Sequence, residues 1–204
     1  MNDPASRMRR KILRGLALMP VPMTAIAASS TPPAAEGPFY PTRSMRFDDV
    51  DNDLVRIAGV VREAGGEIVR LSGKVFDRSG DPVSGAQVEI WQCDVNGRYL
   101  HRADHSSIPR DAGFQGFGVD QTDQAGRYQF RTIKPVPYTG RTPHIHVKIR
   151  FADQDLLTTQ IYLDHPQNQR DWLYRRIPAA LREELTMRFS NAQDEPEAIV
   201  NFRL

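Results

Sequence analysis

The sequence is poor in cysteine, because Cys93 is the single one among its 204 residues. No disulfide can therefore form within the chain. The length suits one domain with a leader, and such a chain can bury a substantial core without cross-links. Cys93 ends a strand-like segment, so we expect it to be a small buried hydrophobic residue and not a reactive thiol.

The sequence also lacks an apolar run that could span a bilayer. Its uncharged stretch 15–27 is mildly apolar and contains two prolines, whereas a membrane helix needs about 20 apolar residues. A basic segment with Arg9-Arg10 precedes this stretch, and Ala25-Ile26-Ala27 offers a cleavage site. We therefore predict that residues 1–27 are a twin-arginine export signal to the bacterial periplasm, with no stable membrane anchor. A disordered basic tail is the alternative.

A large excess of charge of one sign is absent as well. The whole chain has 27 Lys and Arg against 25 Asp and Glu. Residues 1–27 hold five of the basic residues and one of the acidic ones, so the remainder has 22 against 24. A net charge near −2 gives no basic face for nucleic acid. Residues 28–36 are small and Pro-rich, and we interpret them as a linker.

The sequence is rich in glycine and proline, the residues that end short strands and form turns. Gly and Pro together contribute 29 residues, and apolar residues alternate with polar ones between them. One segment has a helical spacing of apolar residues, from Leu173 to Leu185, and Pro178 interrupts it. The pattern predicts an all-β sandwich with a short helical segment near the C-terminus. The predicted strands begin at residue 71 and cover 86–93, 143–151, 156–163 and 198–204, with another after Tyr128.

The string D-x-x-G-R-Y occurs twice, at 94–99 and at 123–128. An Asp that opens a turn and a Gly that supplies a positive φ explain this local pattern. We interpret it as one turn chemistry used twice, not as a domain repeat. From this pattern alone, Tyr99 and Tyr128 are both expected to be core aromatics.

His144 and His146 are the first candidates for metal ligands. Side chains two apart in a strand point to one face, so both imidazoles project together, while Ile145 and Val147 face the core. Two exposed strand histidines remain the alternative. Tyr138 lies nearby in a Pro-rich turn, and a phenolate suits a hard trivalent cation better than zinc. From composition alone, Tyr138 is equally well a turn aromatic.

Several strings carry a more specific signal, and they occur in order over most of the chain after residue 35: EGPFYP at 36–41, LSGKVFDRSGDPVSGAQVEIWQCDVNGRYLH at 71–101, FQGFG at 114–118, TDQAGRYQFRTIKPVPY at 122–138, RTPHIH at 141–146 and LTTQIY at 157–162. With these strings the chain resembles the intradiol ring-cleavage dioxygenases, most of all the β-subunit type of protocatechuate 3,4-dioxygenase. The resemblance implies a catalytic domain over 37–204 with a prealbumin (transthyretin-like) sandwich.

The resemblance also implies a mononuclear, non-haem Fe(III) cofactor. Its ligands would be Tyr99, Tyr138, His144 and His146, and Tyr138 would also act as a base. Arg141 matches the active-site arginine of the family, and Gln160 matches a glutamine that lines the pocket. The implied reaction cleaves a catechol between its two hydroxylated carbons with O2 and gives a muconate-type diacid. His101, His105 and His165 are given no metal role.

The chain departs from the family in one loop. Only Thr139 and Gly140 separate Tyr138 from Arg141, whereas the loop is longer in protocatechuate dioxygenases and contains a tryptophan. The identity of the catechol therefore stays open, as does a homo-oligomer or a second, α-type subunit as partner. Two other classes compete: a cupin-like metalloenzyme that uses the His-x-His pair, and a non-catalytic, transthyretin-like binding module.

Overall fold

The computed structural model describes residues 29–190 and 194–204. The predicted export signal, residues 1–27, lies outside the described residues. Among those described, no helix has the length and apolar character needed to cross a membrane.

The described residues form nine strands in two sheets. The four-stranded sheet has the order β4-β1-β8, and β9 also pairs with β1; the five-stranded sheet has the order β3-β2-β5-β6-β7. The strands are β1 Ile68–Phe76, β2 Gln87–Trp91, β3 Phe117–Gln121, β4 Arg127–Ile133, β5 His144–Phe151, β6 Gln154–Leu163, β7 Thr186–Met187, β8 Glu197–Ile199 and β9 Phe202–Arg203. The prediction of a mostly β fold is confirmed.

The one α-helix of the described residues, α1, runs from Trp172 to Arg176, between the five-residue 3-10 helix 166–170 and two further 3-10 turns at 179–181 and 183–185. The helical spacing of 173–185 therefore gives one α-helical turn and no continuous helix. Pro178 lies directly after the C-cap residue Ile177, where proline prevents the helix from continuing.

The main hydrophobic core takes side chains from both sheets. Leu71 and Phe130 of the first sheet belong to the same buried cluster as Val88 and Ile145 of the second. The alternation of β1 follows from this burial, since its apolar side chains face the core. At Gly73 an added Cβ would lie 1.7 Å from the carbonyl oxygen of Val200, so this glycine lets the last residues of the chain pass close to β1.

Strand β5 is buried on both faces. Its apolar residues Ile145, Val147 and Ile149 are completely buried, as their alternation predicts, but His144 and His146 are buried as well. The alternative of two exposed strand histidines is therefore wrong. Phe151, the last residue of the strand, is 46% exposed.

Residues 30–36, in the predicted linker, are attached to the sheets. Thr31 exchanges two hydrogen bonds with Arg203, and the amide of Ala34 donates to Thr158. The carbonyl of Ala35 accepts from Gln160, and Glu36 pairs with Lys148. These contacts hold residues 30–36, called the arm below, against β5, β6 and β9.

Candidate metal centre

The two predicted histidines meet at the start of β5, which lies between β2 and β6. Strand pairing sets His146 opposite Trp91 on one side and Gln160 on the other. The Nε2 atoms of His144 and His146 are 3.2 Å apart. Nitrogens that share one metal ion at bonds of about 2.0–2.1 Å lie no more than about 4 Å apart, so this spacing fits two ligands of the same ion.

Both imidazoles are neutral in these surroundings. Burial lowers the pKa of His144 to about 3, and the Arg141 charge acts in the same direction. Burial also lowers the pKa of His146 well below its usual value, with the nearby His144 as the next cause. Nδ1 of His144 lies 2.7 Å from the carbonyl oxygen of Thr142. This nitrogen therefore carries the proton and donates it, which leaves Nε2 with a lone pair for a metal.

His146 is fixed by packing and not by a comparable hydrogen bond. Its ring stacks on Trp91, with centroids 4.7 Å apart and an interplanar angle of 13°. Its Nδ1 is buried and has no hydrogen-bond partner in the described part of the chain. Gly37 lies against the same ring, because a Cβ there would be 3.4 Å from Cε1 of His146.

Tyr99 reaches the histidine pair from the loop after β2. Its hydroxyl lies 3.5 Å from Nε2 of His144, and its side chain is buried. Asp104 accepts the Tyr99 amide at 2.7 Å, and Phe39 stacks on the ring with centroids 4.8 Å apart. Burial raises the pKa of Tyr99 well above its usual value. Ionisation of this phenol at neutral pH therefore needs a strong neighbouring cation.

Tyr138 lies between the histidines and solvent. Its ring meets Tyr99 edge-on at 5.3 Å and lies 5.6 Å from the His144 ring. Burial raises the pKa of Tyr138, while the positive charge of Arg141 opposes this rise. Nη1 of Arg141 donates to the Tyr138 hydroxyl at 3.5 Å. Of the two tyrosines, Tyr138 is the more accessible.

Arg141 is held from two sides. Its Nε donates to Asp171 at 2.8 Å, and its Nη2 donates to Oε1 of Gln160 at 2.6 Å. Gln160 also accepts from Tyr162 and donates to Ala35, and it is 1% exposed. Gln160 therefore contacts Arg141 directly, and it also lies opposite His146 in the strand pairing. The pocket-lining role that the family resemblance implies for Gln160 stays a prediction.

A cavity of about 730 Å³ opens beside the tyrosines and Arg141. The turn from Tyr138 to Arg141 forms part of its wall. The Arg141 amide donates to the Tyr138 carbonyl at 2.9 Å, and Gly140 has a φ of +77°. Residues 138–141 therefore form a tight hydrogen-bonded turn. The other walls come from the turn before Tyr99, the loop after it and the segment before α1. Their lining residues include Asn96 in the turn, Asp104, Ser106 and Ile108 in the loop, and Gln167, Arg170 and Asp171 before α1.

The donor set selects the kind of metal. Within 29–190 and 194–204, no group of three or more His, Cys, Asp or Glu side chains is placed to hold a metal ion. The further carboxylate and histidine of a cupin-like site are thus not found there. Two neutral imidazoles with two phenol oxygens fit a hard, highly charged cation such as Fe(III).

The other histidines lie elsewhere. His101 and His165 accept backbone amides from Ala103 and Gln167, and His105 is exposed. Cys93 is buried, as predicted. Sequence reasoning did not identify Trp91, Asp104 or Asp171 as parts of the site. For Trp91 a signal existed, because it ends a strand of the sheet that holds the histidines.

Comparison with known proteins agrees with these features. A family model described as Dioxygenase matches residues 35–204, so the chain belongs to this family. The family is that of the intradiol dioxygenases, and the resemblance based on the sequence motifs is confirmed.

Two curated relatives and one solved structure illustrate the similarity. The protocatechuate 3,4-dioxygenase beta chain of Burkholderia cepacia is 38% identical over 151 residues, which are 69% of this chain and 64% of that protein. The catechol 1,2-dioxygenase of Candida albicans is 30% identical over 149 residues, 64% of this chain and 46% of that protein. The chain thus spans less than two thirds of either relative.

The solved structure is the dioxygenase domain of a dioxygenase carbohydrate-binding protein fusion from the cellulolytic bacterium Streptomyces sp. SirexAA-E. It has a TM-score of 0.65 at 30% identity, and the match covers 86% of this chain and 98% of that one.

Proposed function

We propose that this protein is a mononuclear Fe(III) intradiol dioxygenase that cleaves catechols with O2. The observation that carries the proposal is the convergence of the His144 and His146 Nε2 atoms, 3.2 Å apart, with the Tyr99 hydroxyl 3.5 Å from the first of them. Tyr138 supplies the fourth ligand on the side that faces the cavity.

Tyr99, Tyr138, His144 and His146 would hold the ferric iron, which would supply a Lewis acid for the two catechol oxygens and make the ring reactive toward O2. The overall reaction adds both oxygen atoms to the substrate and breaks the bond between the two hydroxylated carbons. The product is a muconate-type diacid.

The chain's own residues divide the remaining tasks. A catechol must lose two protons to bind a metal through both oxygens. Tyr138, at the cavity, would accept one of them at its phenolate oxygen, and a solvent hydroxide would accept the other to give water. Arg141 keeps its charge throughout, because guanidinium does not deprotonate in proteins. Its Nη1 already points at the Tyr138 hydroxyl, so it stabilises negative charge that develops beside this position. Gln160 holds the other end of the guanidinium.

The cavity has room for a catechol and does not select one catechol among several. Its volume of about 730 Å³ is larger than a single aromatic ring needs. In the wall formed by the Tyr138–Arg141 turn, only two residues lie between the tyrosine and the arginine. Protocatechuate and catechol are the substrates in the names of the two relatives. Both belong in the substrate panel of the test, together with hydroxyquinol.

We further propose that the two sheets pack face to face as a transthyretin-like sandwich, which the shared core supports. For assembly, we propose either a homo-oligomer or a complex with an α-type chain, since one relative is itself named a beta chain. Export by residues 1–27 stays a proposal as well. The N-terminal sequence of the exported protein tests it, and a start at Met1 would contradict it.

Oxygen uptake by the iron-loaded chain tests the proposed activity. Catechol, protocatechuate and hydroxyquinol are added in turn, and products are identified by mass. Uptake of one O2 per ring with a diacid product supports the proposal. A non-catalytic binding module would bind a catechol without uptake, and a cupin-like enzyme would give activity that survives Tyr99→Phe.

A further inference from the structure

Asp171 is a buried carboxylate whose two oxygens accept four N–H groups. Oδ1 accepts the amides of Leu173 and Tyr174 at 2.9 and 3.2 Å, and thereby caps the N-terminus of α1. Oδ2 accepts Nε of Arg141 at 2.8 Å and the amide of Thr142 at 3.0 Å. One oxygen therefore faces the helix, and the other faces the segment that leads into β5.

The second oxygen is linked to the metal centre through one residue. Asp171 accepts a hydrogen bond from the Thr142 amide. The carbonyl of the same Thr142 accepts the hydrogen bond from Nδ1 of His144, at 2.7 Å. The Thr142 hydroxyl donates to Asn168 at 2.5 Å, and Asn168 is anchored on the Leu163 carbonyl. The 166–172 segment thus fixes Thr142 at two points.

We propose that Asp171 is a positioning residue that sets both the Arg141 guanidinium at the cavity and the orientation of the His144 ring at the metal centre. The proposal rests on the proposed function, since it assigns a task in that site. Asp171 and Arg141 are 30 residues apart in sequence, and their contact ties the cavity wall before α1 to the ligand-bearing strand.

A plain helix cap is the competing explanation. Ser, Asn and Asp cap helices about equally well, so a pure cap tolerates either substitution. Asp171→Ser keeps a capping oxygen but is too short to reach Arg141. Asp171→Asn keeps the size, but whichever way its amide turns, an NH2 group faces two N–H donors. Asp171→Ser therefore separates positioning from capping, whereas Asp171→Asn tests whether the site needs both carboxylate oxygens.

The test uses the full iron-loaded chain and two measurements. The first is the rate of iron release to a chelator, which does not depend on turnover. The second is the Kd of catechol under anaerobic conditions, followed by the visible spectrum. Asp123→Ser is the matched control, because Asp123 accepts two backbone amides in a turn distant from the site. Far-UV circular dichroism checks that each variant is folded.

We expect both Asp171 variants to release iron about tenfold faster and to bind catechol about tenfold more weakly, the range found when partners of metal ligands are removed. The control should stay within twofold of the wild type. In an Arg141→Gln background, Asp171→Ser should weaken catechol binding less than it does in the wild type, because one of the two groups through which it acts is gone, while iron release should still be faster through Thr142 and His144.

Asp171 variants that match the control in both measurements would overturn the inference and leave Asp171 as a cap. A wild-type chain that binds iron but cleaves no catechol would instead contradict the proposed function, and the iron-release comparison would still test Asp171.

Discussion

Two turns of this protein share the pattern D-x-x-G-R-Y and the same backbone hydrogen bonds. In both, Oδ1 of the aspartate accepts two backbone amides, from Asn96 and Arg98 in the first and from Ala125 and Arg127 in the second. The glycines have φ values of +74° and +71°. The prediction of one turn chemistry used twice is confirmed.

The tyrosines that follow end in different surroundings. Tyr128 enters β4 opposite Gly73 and donates its hydroxyl to the Val200 carbonyl at 2.7 Å. Tyr99 leaves the sheet, and its hydroxyl lies near the His144 nitrogen. The first hydroxyl is satisfied by the backbone, while the second is available to a cation. A local sequence pattern thus determines the turn, and the chain after it determines the role of the tyrosine.

The arginines differ in the same way. Arg127 is exposed, whereas the Arg98 side chain is 15% exposed. Arg98 donates to the carbonyls of Asp104, Ser106 and Ile108, and its Nε lies 3.1 Å from Asp104 Oδ1. Asp104 in turn accepts the Tyr99 amide. The loop after Tyr99 is therefore held by hydrogen bonds to Arg98 and Asp104. The chain after the second turn, by contrast, continues directly as strand β4.

The largest effect is expected from Tyr99→Phe. Loss of a direct ligand should lower kcat/KM for catechol by at least about 100-fold, beyond the effect of removing a partner of a ligand. The visible band of the iron-loaded protein should weaken at the same time. Thermal unfolding of the iron-free chain should change little, because the contact of the Tyr99 hydroxyl with His144 is long, at 3.5 Å. Ring-cleavage activity close to that of the wild type would contradict the assignment.

An intermediate effect is expected from Arg98→Gln. Removal of a mostly buried guanidinium with several acceptors should lower the free energy of unfolding by about 2 kcal/mol, as for hydrogen bonds to charged groups. The loosened cavity wall should also raise KM for catechol several-fold. Arg127→Gln is the matched control, and chemical denaturation with steady-state kinetics compares the two. Equal behaviour of both variants would show that the loop needs no such clamp.

The smallest effect is expected from Tyr128→Phe. The change leaves the Val200 carbonyl without its donor and should cost about 1 kcal/mol of unfolding free energy. Iron content and the visible spectrum should match those of the wild type, since this hydroxyl lies in the core of the other sheet. A loss of iron in this variant would show that Tyr128 also affects the metal centre and would contradict the difference in role between Tyr128 and Tyr99.

Strand periodicity was sufficient for part of the site. The period of two placed His144 and His146 on one face, and the structure brings their Nε2 atoms together. It was insufficient for Tyr99, because nothing within the turn distinguishes it from Tyr128. The family resemblance supplied that distinction.

Other features could not be predicted from local sequence patterns, for physical reasons. Strands β7 and β9 have two residues each, too few to show alternation. The contact of Asp171 with Arg141 joins residues that are distant in sequence. The side chain of Gln160 donates to the Ala35 carbonyl of the arm, a segment that is also distant from it in sequence. Packing between segments decides such contacts.

The visible spectrum of the fully iron-loaded wild-type chain, with iron counted per chain, is the direct test of Tyr99 and Tyr138 as iron ligands. We expect one Fe(III) per chain and a purple-to-red colour from tyrosinate-to-iron charge transfer, which shifts when catechol is added without oxygen. A protein that holds one Fe(III) per chain and is colourless would contradict the assignment of Tyr99 and Tyr138 as ligands.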